Sequence, residues 1–327
     1  MKPVVSFDRE RLESYLSEVV DKLKSLSFKE ALSYAIFNEE DEAKYYAELA
    51  QKAKKPSVRA LFLQMSDESL EHKERLYSLF KRVFPDEEPV KVDAPPVEVA
   101  PFYPEFEKVE DYLHALEYCM ESELFAKRTY EILSAKAEDE EARALFAQLA
   151  LMEEEHYERI RKVYELVSKM KRRKIPLEAL EPGGYLFEDR EKARYTFLDV
   201  TGEDKGLVIT REHPKKIRSW MKIDVPVLWL SESAMKMSGV KTLPPKLLLD
   251  KAEDIAEFVS SENLRAVLLE SAEYLLLETN EKDLIKFLLD LRDLAIERGF
   301  YLIVSAEKEA FTPTSWAILR ANMEKIE

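Results

Sequence analysis

Cysteine and glycine are both scarce in this sequence of 327 residues, and each scarcity excludes a class of site. Cys119 is the only cysteine, so the chain has no internal disulfide, no paired-cysteine redox motif and no four-cysteine iron centre. All six glycines lie at Gly183 or later. Neither a Gly-Lys-Ser/Thr phosphate loop nor a GxGxxG motif occurs, and we therefore do not expect ATP hydrolysis.

Long apolar runs and basic regions are missing as well. No stretch approaches the roughly 18 apolar residues of a membrane span, and the start has no signal-peptide core. We therefore expect a cytoplasmic protein with no membrane partner. The formal net charge is −15, which argues against nucleic acid as a partner. Charged residues make up 35% of the chain, while asparagine and glutamine together number seven, a balance typical of a thermophile.

Two regions of different pattern follow one another along the chain. Residues 1–182 contain no glycine and are rich in alanine, leucine, glutamate and lysine, which predicts long helices. After a Pro/Gly boundary, short β-branched runs alternate with helical stretches; the runs are GLVIT at 206–210, VPVLWL at 225–230, RAVLLE at 265–270 and FYLIVS at 300–305. This alternation predicts a three-layer α/β domain with a mainly parallel sheet. The predicted organisation is an N-terminal helix at 1–27, a helical domain at 28–174, a linker at 175–184 and an α/β domain at 185–327.

An ungapped internal repeat with an offset of 84 residues runs through the helical domain. RALFLQM at 59–65 returns as RALFAQL at 143–149, and His72 returns as His156 within matched flanks. Because the chain has only four histidines, a matched pair indicates duplication rather than chance. The repeat predicts two helical hairpins, with helices at about 28–54, 57–83, 109–136 and 140–173.

The connection between the second and third predicted helices contains six prolines: Pro85, Pro89, Pro95, Pro96, Pro101 and Pro104. A segment this long is unusual in a compact domain unless it crosses something, and extended it would span a helical bundle. A four-helix bundle with one long crossover has ferritin-like connectivity. The amphipathic segment from Phe7 to Leu26 is expected to pack on this bundle or on a partner subunit.

The repeat places metal-binding residue types at corresponding points. A di-iron site in such a bundle takes one glutamate from each of two helices and a Glu-x-x-His from each of the other two. Glu39 and Glu123 correspond on the first and third helices, and Glu153 with His156 forms a complete Glu-x-x-His on the fourth. Residues at i and i+3 share one helix face and can reach the same metal pair. Carboxylates and imidazoles suit iron, and other divalent metals are possible.

The second helix departs from this pattern. It keeps His72, but Ser69 stands where the repeat aligns Glu153, so one carboxylate of the expected set is missing. Glu42 lies three residues after Glu39 and can face the site from the first helix. Glu68 lies four residues before His72, but it points roughly 100° away from the direction of Ser69. We favour Glu42 as the compensating ligand.

Two tyrosines repeat together with these candidates. Tyr46 and Tyr130 follow Glu39 and Glu123 by two helical turns. They either hydrogen-bond the ligands, as residues around metal sites often do, or serve as core aromatics. The pattern leaves both alternatives open.

The segments AIFNEEDEAKYY, EHKERL, MESELFAKRTY and LALMEEEHYERI resemble the rubrerythrin branch of the ferritin-like superfamily. The resemblance covers about residues 28–170 and implies a di-iron centre that reduces hydrogen peroxide. It implies as ligands Glu39, His72, Glu123, Glu153 and His156. Rubrerythrins receive electrons from a rubredoxin domain or protein, and this chain has no such module. We therefore expect a separate electron-transfer protein such as a rubredoxin as partner and, by analogy, a homo-oligomer.

Residues 185–320 resemble an uncharacterised archaeal α/β domain family. The resemblance is carried by GLVITR at 206–211, LWL at 228–230, Pro244-Pro245 and AVLLESAEYLL at 266–276. It implies a shape and no activity. Binding, sensing or dimerisation is the expected role, with any ligand at the carboxyl ends of the strands.

Together these features predict a rubrerythrin-like di-iron oxidoreductase that reduces hydrogen peroxide, or a ferroxidase or iron-handling variant of it. No catalytic residue beyond the metal site is predicted. The alternative is a regulatory or interaction protein in which a degraded ferritin-like site, with or without metal, signals to the α/β domain. Ser69 is the residue that supports this alternative.

Overall fold

The structure is a computed structural model that describes residues 22, 25–92, 103–172, 180–202, 205–232 and 240–324. Most of the predicted N-terminal helix and half of the predicted linker lie outside these residues. The chain divides into two compact units, one of Met1–Lys52 with Leu61–Arg161 and the other of Ala53–Ala60 with Lys162–Glu327. Within the described residues, no helix combines the length and the apolar composition needed to cross a lipid bilayer.

Among its described residues, the helical half forms four long helices: α1 (Phe28–Lys52), α2 (Pro56–Val83), α3 (Val109–Lys136) and α4 (Glu140–Arg172). The predicted four helices are confirmed. Their starts have local causes. Ser27 and Glu30 form a reciprocal cap at α1, in which the Ser27 amide donates to the Glu30 carboxylate over 2.8 Å. Pro56 occupies the first position of α2, where its missing N–H is harmless, and the Asp139 carboxylate accepts from the Ala142 amide at α4.

Apolar faces of all four helices meet in one core that includes Leu32, Leu76, Leu133 and Phe146. Each of these side chains is almost fully buried. Burial of the apolar stripes, rather than helix propensity, holds such a bundle together. The core therefore fixes the helices around the few charged residues that they also bury.

The C-terminal half contains a six-stranded sheet in the order β1-β6-β5-β2-β3-β4, with strands β1 (Gly183–Phe187), β2 (Gly206–Thr210), β3 (Val227–Leu230), β4 (Val240–Leu243), β5 (Ala266–Leu269) and β6 (Tyr301–Ser305). Every strand pair is parallel, so the predicted parallel sheet is confirmed. The predicted runs became β2, β3, β5 and β6. β1 and β4 were not predicted, and β1 begins inside the span predicted as linker.

Five helices and three short 3₁₀ turns connect the strands. The helices are α5 (Arg190–Thr201), α6 (Pro214–Met221), α7 (Ala252–Ser261), α8 (Glu281–Arg298) and α9 (Pro313–Asn322), and the turns are Pro245–Asp250, Ala272–Leu277 and Lys308–Ala310. The larger core packs α7, α8 and α9 against one face of the sheet through Leu207, Val267 and Leu302. All residues of the central strands are buried on both faces, as expected of a parallel sheet.

Candidate metal centre

A cluster of charged side chains lies inside the four-helix unit, far from solvent. The members are the five residues that the repeat aligned as ligands, and each is exposed by at most 2%: Glu39 of α1, His72 of α2, Glu123 of α3, and Glu153 and His156 of α4. Each helix delivers its group because the face that carries it also carries the apolar stripe. Ionised groups are rarely buried unless they are paired or bind metal.

The cluster contains two groups of ligand atoms that share one glutamate. Glu39, His72 and Glu153 form the first group, and Glu123, Glu153 and His156 form the second; in each group the ligand atoms lie within 4.8 Å of one another. The two carboxylate oxygens of Glu153 diverge. Oε1 lies 3.5 Å from His72 Nδ1, and Oε2 lies 3.1 Å from His156 Nδ1. Glu153 therefore offers one oxygen to each group and, if two metal ions were bound, would be shared between them.

Each group also has its own terminal carboxylate. Glu39 Oε1 lies 3.4 Å from His72 Nδ1, and Glu123 Oε2 lies 3.2 Å from His156 Nδ1. The two imidazole rings are nearly parallel, with centroids 5.4 Å apart and planes inclined by 7°. The two groups thus follow the pseudo-twofold relation expected of a duplicated hairpin.

Several buried polar atoms of the cluster lack a hydrogen-bond partner among the described residues. They are Glu39 Oε2, Glu153 Oε1, both ring nitrogens of His72 and Nε2 of His156. The 3.4–3.5 Å separations around His72 Nδ1 are too long or too poorly aligned for hydrogen bonds, although they bring the atoms together. Unpartnered buried polar atoms are rare and destabilising, and a bound cation would satisfy them. The donor set of carboxylate oxygens and imidazole nitrogens fits a pair of divalent metal ions.

The ionisation of the cluster follows from burial and mutual contact. Burial raises the pKa of Glu39, and it raises the pKa of Glu123 to about 7. Burial opposes ionisation of Glu153 too, but contacts with His156 and His72 outweigh it and lower the pKa of this carboxyl group. Burial opposes the charged form of His72, but the close carboxylates of Glu153 and Glu39 outweigh it and raise the pKa of this imidazole to about 9. The metal-free cluster therefore holds protons that a metal ion would displace.

Tyr46 and Tyr130 bond the cluster crosswise. The Tyr46 hydroxyl of α1 donates to Glu123 Oε1 of α3, and the Tyr130 hydroxyl of α3 donates to Glu39 Oε1 of α1. Both rings are also buried in the core. Each tyrosine is therefore at once a hydrogen-bond partner of a candidate ligand and a core aromatic, the two roles that the sequence left open. Each hairpin thereby orients a carboxylate that the other hairpin supplies.

Ser69 and Glu42 lie next to each other. The buried Ser69 hydroxyl donates to the Met65 carbonyl over 3.0 Å and lies 3.5 Å from Glu42 Oε2. A carboxylate from α1 thus stands beside the position where α2 lacks one. Glu42 belongs to neither of the two groups of converging ligand atoms, and its role as a ligand stays a prediction.

One contact of the cluster was not predicted. Glu68 Oε2 lies 2.8 Å from Nε2 of His156, on the side of the ring opposite to Glu123 and Glu153, at ion-pair distance but without good hydrogen-bond alignment. Arg159 holds this carboxylate with two hydrogen bonds of 2.7 and 3.0 Å. Burial opposes ionisation of Glu68, but His156 and Arg159 lower its pKa to about 2. The contact fixes the ring of a candidate ligand from outside.

The sequence held a signal for this contact. The repeat aligns Arg159 with Arg75, and both arginines reach across to the opposite hairpin. Arg159 meets Glu68, while Arg75 meets the sulfur of Met152, which is the repeat partner of Glu68. The arginine occurs in both repeats, but only Arg159 has an acid, Glu68, at the repeat position that it faces. This difference between the repeats could have indicated that only one of the two histidines has a carboxylate beside its outer nitrogen.

The α/β unit places charged groups at the carboxyl ends of β2 and β5, where a ligand was expected. The buried Arg194 guanidinium pairs with Glu270 and Glu212, and the Thr210 hydroxyl donates to Glu270 over 2.7 Å. Trp220 stacks on the guanidinium, with 4.9 Å between the Arg194 Cζ and the ring centroid. These groups satisfy one another, so the arrangement explains stability of the strand ends and identifies no ligand.

Comparison with known proteins gives two family models that match separate parts of the chain. The family model described as Rubrerythrin matches residues 30–164, and the model described as a protein of unknown function (DUF835) matches residues 186–323. A solved structure of a hypothetical protein from Pyrococcus furiosus is 30% identical over 46% of this chain and 95% of that chain, with a TM-score of 0.42. No curated protein matches.

Proposed function

We propose that this chain binds two iron ions in the helical unit and reduces hydrogen peroxide. The chain belongs to the rubrerythrin family through residues 30–164 and to the DUF835 family through residues 186–323. The observation that carries the proposal is the divergence of the two Glu153 oxygens, one toward each histidine. A single carboxylate so placed joins two metal positions, and two metals together can supply the two electrons that peroxide reduction requires.

The residues of the cluster have distinct tasks in this proposal. Glu39 with His72, and Glu123 with His156, would hold one ion each. Tyr46 and Tyr130 keep the terminal carboxylates in place through their hydroxyl groups, and Glu68 keeps the His156 ring in place. The apolar bundle excludes water. Bound iron supplies the redox chemistry, and a separate one-electron carrier such as a rubredoxin returns the electrons.

Iron content and peroxide response together test the proposal. The full chain is reconstituted anaerobically with ferrous iron, and iron per chain is measured before and after addition of peroxide, together with the optical spectrum. We expect close to two irons, an absorption band that appears with peroxide and bleaches on reduction, and repeated cycles with loss of peroxide. Substoichiometric iron that does not respond to peroxide would overturn it. Iron turnover without a catalytic peroxide cycle would favour ferroxidase or iron-handling activity.

A metal-binding regulatory role is the second candidate, and Ser69 is the observation that favours it. A serine supplies no carboxylate, and the Ser69 hydroxyl is bonded to the backbone of its own helix. A Glu42→Ala variant and a Ser69→Glu variant separate the candidates. Loss of iron in the first supports compensation by Glu42, whereas gain of iron only in the second supports a degraded site.

A further inference from the structure

A row of tyrosine rings leads from the candidate metal centre to the protein surface. Tyr46 hydrogen-bonds Glu123, and its ring centroid lies 5.7 Å from that of Tyr45. The Tyr45 centroid lies 5.4 Å from that of Tyr103, which is 38% exposed. Tyr118 also lies 6.1 Å from Tyr45, but it is buried and forms a side branch. The row Tyr46–Tyr45–Tyr103 is thus continuous from a candidate ligand to solvent.

Among the residues that the structure describes, the row has no counterpart in the second repeat. The repeat partner of Tyr46 is Tyr130, but the residue that aligns with Tyr45 is Thr129. Within the described part of the chain, the ring neighbour of Tyr130 is Phe146, which is fully buried and has no phenol to oxidise. The two tyrosines make equivalent hydrogen bonds to the cluster, and only one of them continues outward. The difference is hard to attribute to support of the ligands, because that task is common to both.

We propose that Tyr46, Tyr45 and Tyr103 conduct electrons one at a time from a donor at the surface to the metal centre, an inference that rests on the proposed function. Phenols are the oxidisable groups of this row, and their rings lie in or near contact. A buried phenol that loses an electron must also lose its proton, and Tyr46 has a carboxylate oxygen of Glu123 in hydrogen-bond contact to receive it. Tyr103 supplies the accessible end, where an external one-electron reductant can meet the row.

Each electron passes along the row in successive transfers between neighbouring phenols. Tyr46 gives one electron to the oxidised centre and its phenol proton to Glu123, which leaves a neutral tyrosyl radical. An electron from Tyr45 then restores Tyr46, which takes its proton back from Glu123. Tyr103 restores Tyr45 and the external one-electron donor restores Tyr103; each phenol releases its proton as it gives up an electron and regains one when the electron is replaced, so the row gains and loses no proton. Two electrons delivered in this way, together with two protons (H+) taken up from the buffered solvent, balance the reduction of one hydrogen peroxide to two water molecules.

The test uses the iron-loaded full chain treated with hydrogen peroxide in the absence of any reductant. Oxidising equivalents must then travel outward, and a nitrone spin trap captures them as a covalent adduct that peptide mass mapping locates. The variants are Tyr45→Phe, which interrupts the row while keeping the ring, and Tyr103→Phe, which removes its end. Tyr77→Phe is the matched control, because Tyr77 is 37% exposed on α2 and lies outside the row.

We expect the adduct on Tyr103 in the wild type and in Tyr77→Phe, and its loss in Tyr45→Phe with iron content unchanged. Freeze-quench electron paramagnetic resonance should show a tyrosyl radical that persists in Tyr103→Phe on a buried residue. An undiminished Tyr103 adduct in Tyr45→Phe would overturn the row, and so would equal labelling of Tyr77, which indicates diffusing oxidants. Iron that binds and responds to peroxide without any protein radical overturns the row alone. Failure of iron to bind overturns the proposed function and the row together.

Discussion

The two hairpins of the helical unit, α1–α2 and α3–α4, are copies that now contribute differently to one site. The second hairpin keeps its complete Glu153–His156 pair and supplies the carboxylate that touches both histidines. The first hairpin has lost that carboxylate at Ser69, and it carries acids one position earlier and on the neighbouring helix instead. The two hairpins thus share the same helices and the same histidine positions but differ in where their carboxylates stand. In this bundle the placement of the helices does not by itself determine the placement of the charges.

The largest expected effect comes from the position where the hairpins differ most. Glu153→Gln keeps the side-chain size but removes the charge shared by both groups, and we expect loss of both metals. Metal per chain, measured by plasma mass spectrometry after reconstitution, checks this, with circular dichroism to establish that the helices are retained. Ser69→Ala is the matched change in the first hairpin and should leave the metal content unaltered, because the hydroxyl bonds the Met65 carbonyl and makes only a long contact of 3.5 Å with Glu42. Retention of one full metal in Glu153→Gln would show that Glu153 does not bridge.

A smaller effect is expected at the support that only one hairpin provides. Glu68→Gln removes the charge beside His156 Nε2, and the loss of such an outer contact typically weakens metal affinity by about 10–100-fold. The effect should fall on the His156 position and spare the His72 position, which competition titration with a chelator resolves as two affinities. Met152→Leu, at the repeat-related position, should change neither affinity. Equal weakening of both metals would mean that Glu68 acts on the whole bundle rather than on one ring.

The smallest effect is a pH dependence that distinguishes the two histidines. In the metal-free protein the pKa of His72 is raised to about 9, and that of His156 is raised well above its ordinary value. Below these pKa values a metal must displace a proton from each ring, so affinity should rise as pH rises and level off above the pKa of His72 for the first group. Calorimetry in buffers of different ionisation enthalpy measures the protons released. Binding at pH 7 without proton release would contradict the ionisation described for the cluster.

Much of the helical unit could be predicted because the same sequence pattern occurs twice in it. The offset of 84 residues located the four described helices and the positions of His72 and His156, whereas the predicted crossover lies partly outside the described residues. The crosswise bonds of Tyr46 and Tyr130 could not be predicted, because which hairpin a side chain reaches depends on how the helices pack. Glu68 was considered only as a replacement for Ser69. In the structure Glu68 contacts Nε2 of His156 on α4. That contact depends on how α2 packs against α4, which the angular spacing of residues along α2 does not indicate.

The α/β unit shows where sequence patterns fail for a different reason. β2, β5 and β6 are continuous apolar runs, as buried parallel strands should be, and were predicted. β4 reads VKTL and occupies the edge of the sheet, so its residues are half-buried or exposed and its composition is weakly strand-like. β1 begins with two glycines, which favour a linker in any pattern-based interpretation. Edge position and glycine content hide a strand that tertiary pairing nevertheless stabilises.

The crosswise tyrosine–glutamate bonds have a consequence for how the protein is made. Because Glu39 is oriented from α3 and Glu123 from α1, neither hairpin alone possesses a finished set of metal-holding groups. Under the proposed function, the complete set of metal-holding groups forms only once α3 and α4 have packed against α1 and α2. Folding of the whole bundle would therefore precede tight metal binding during biosynthesis.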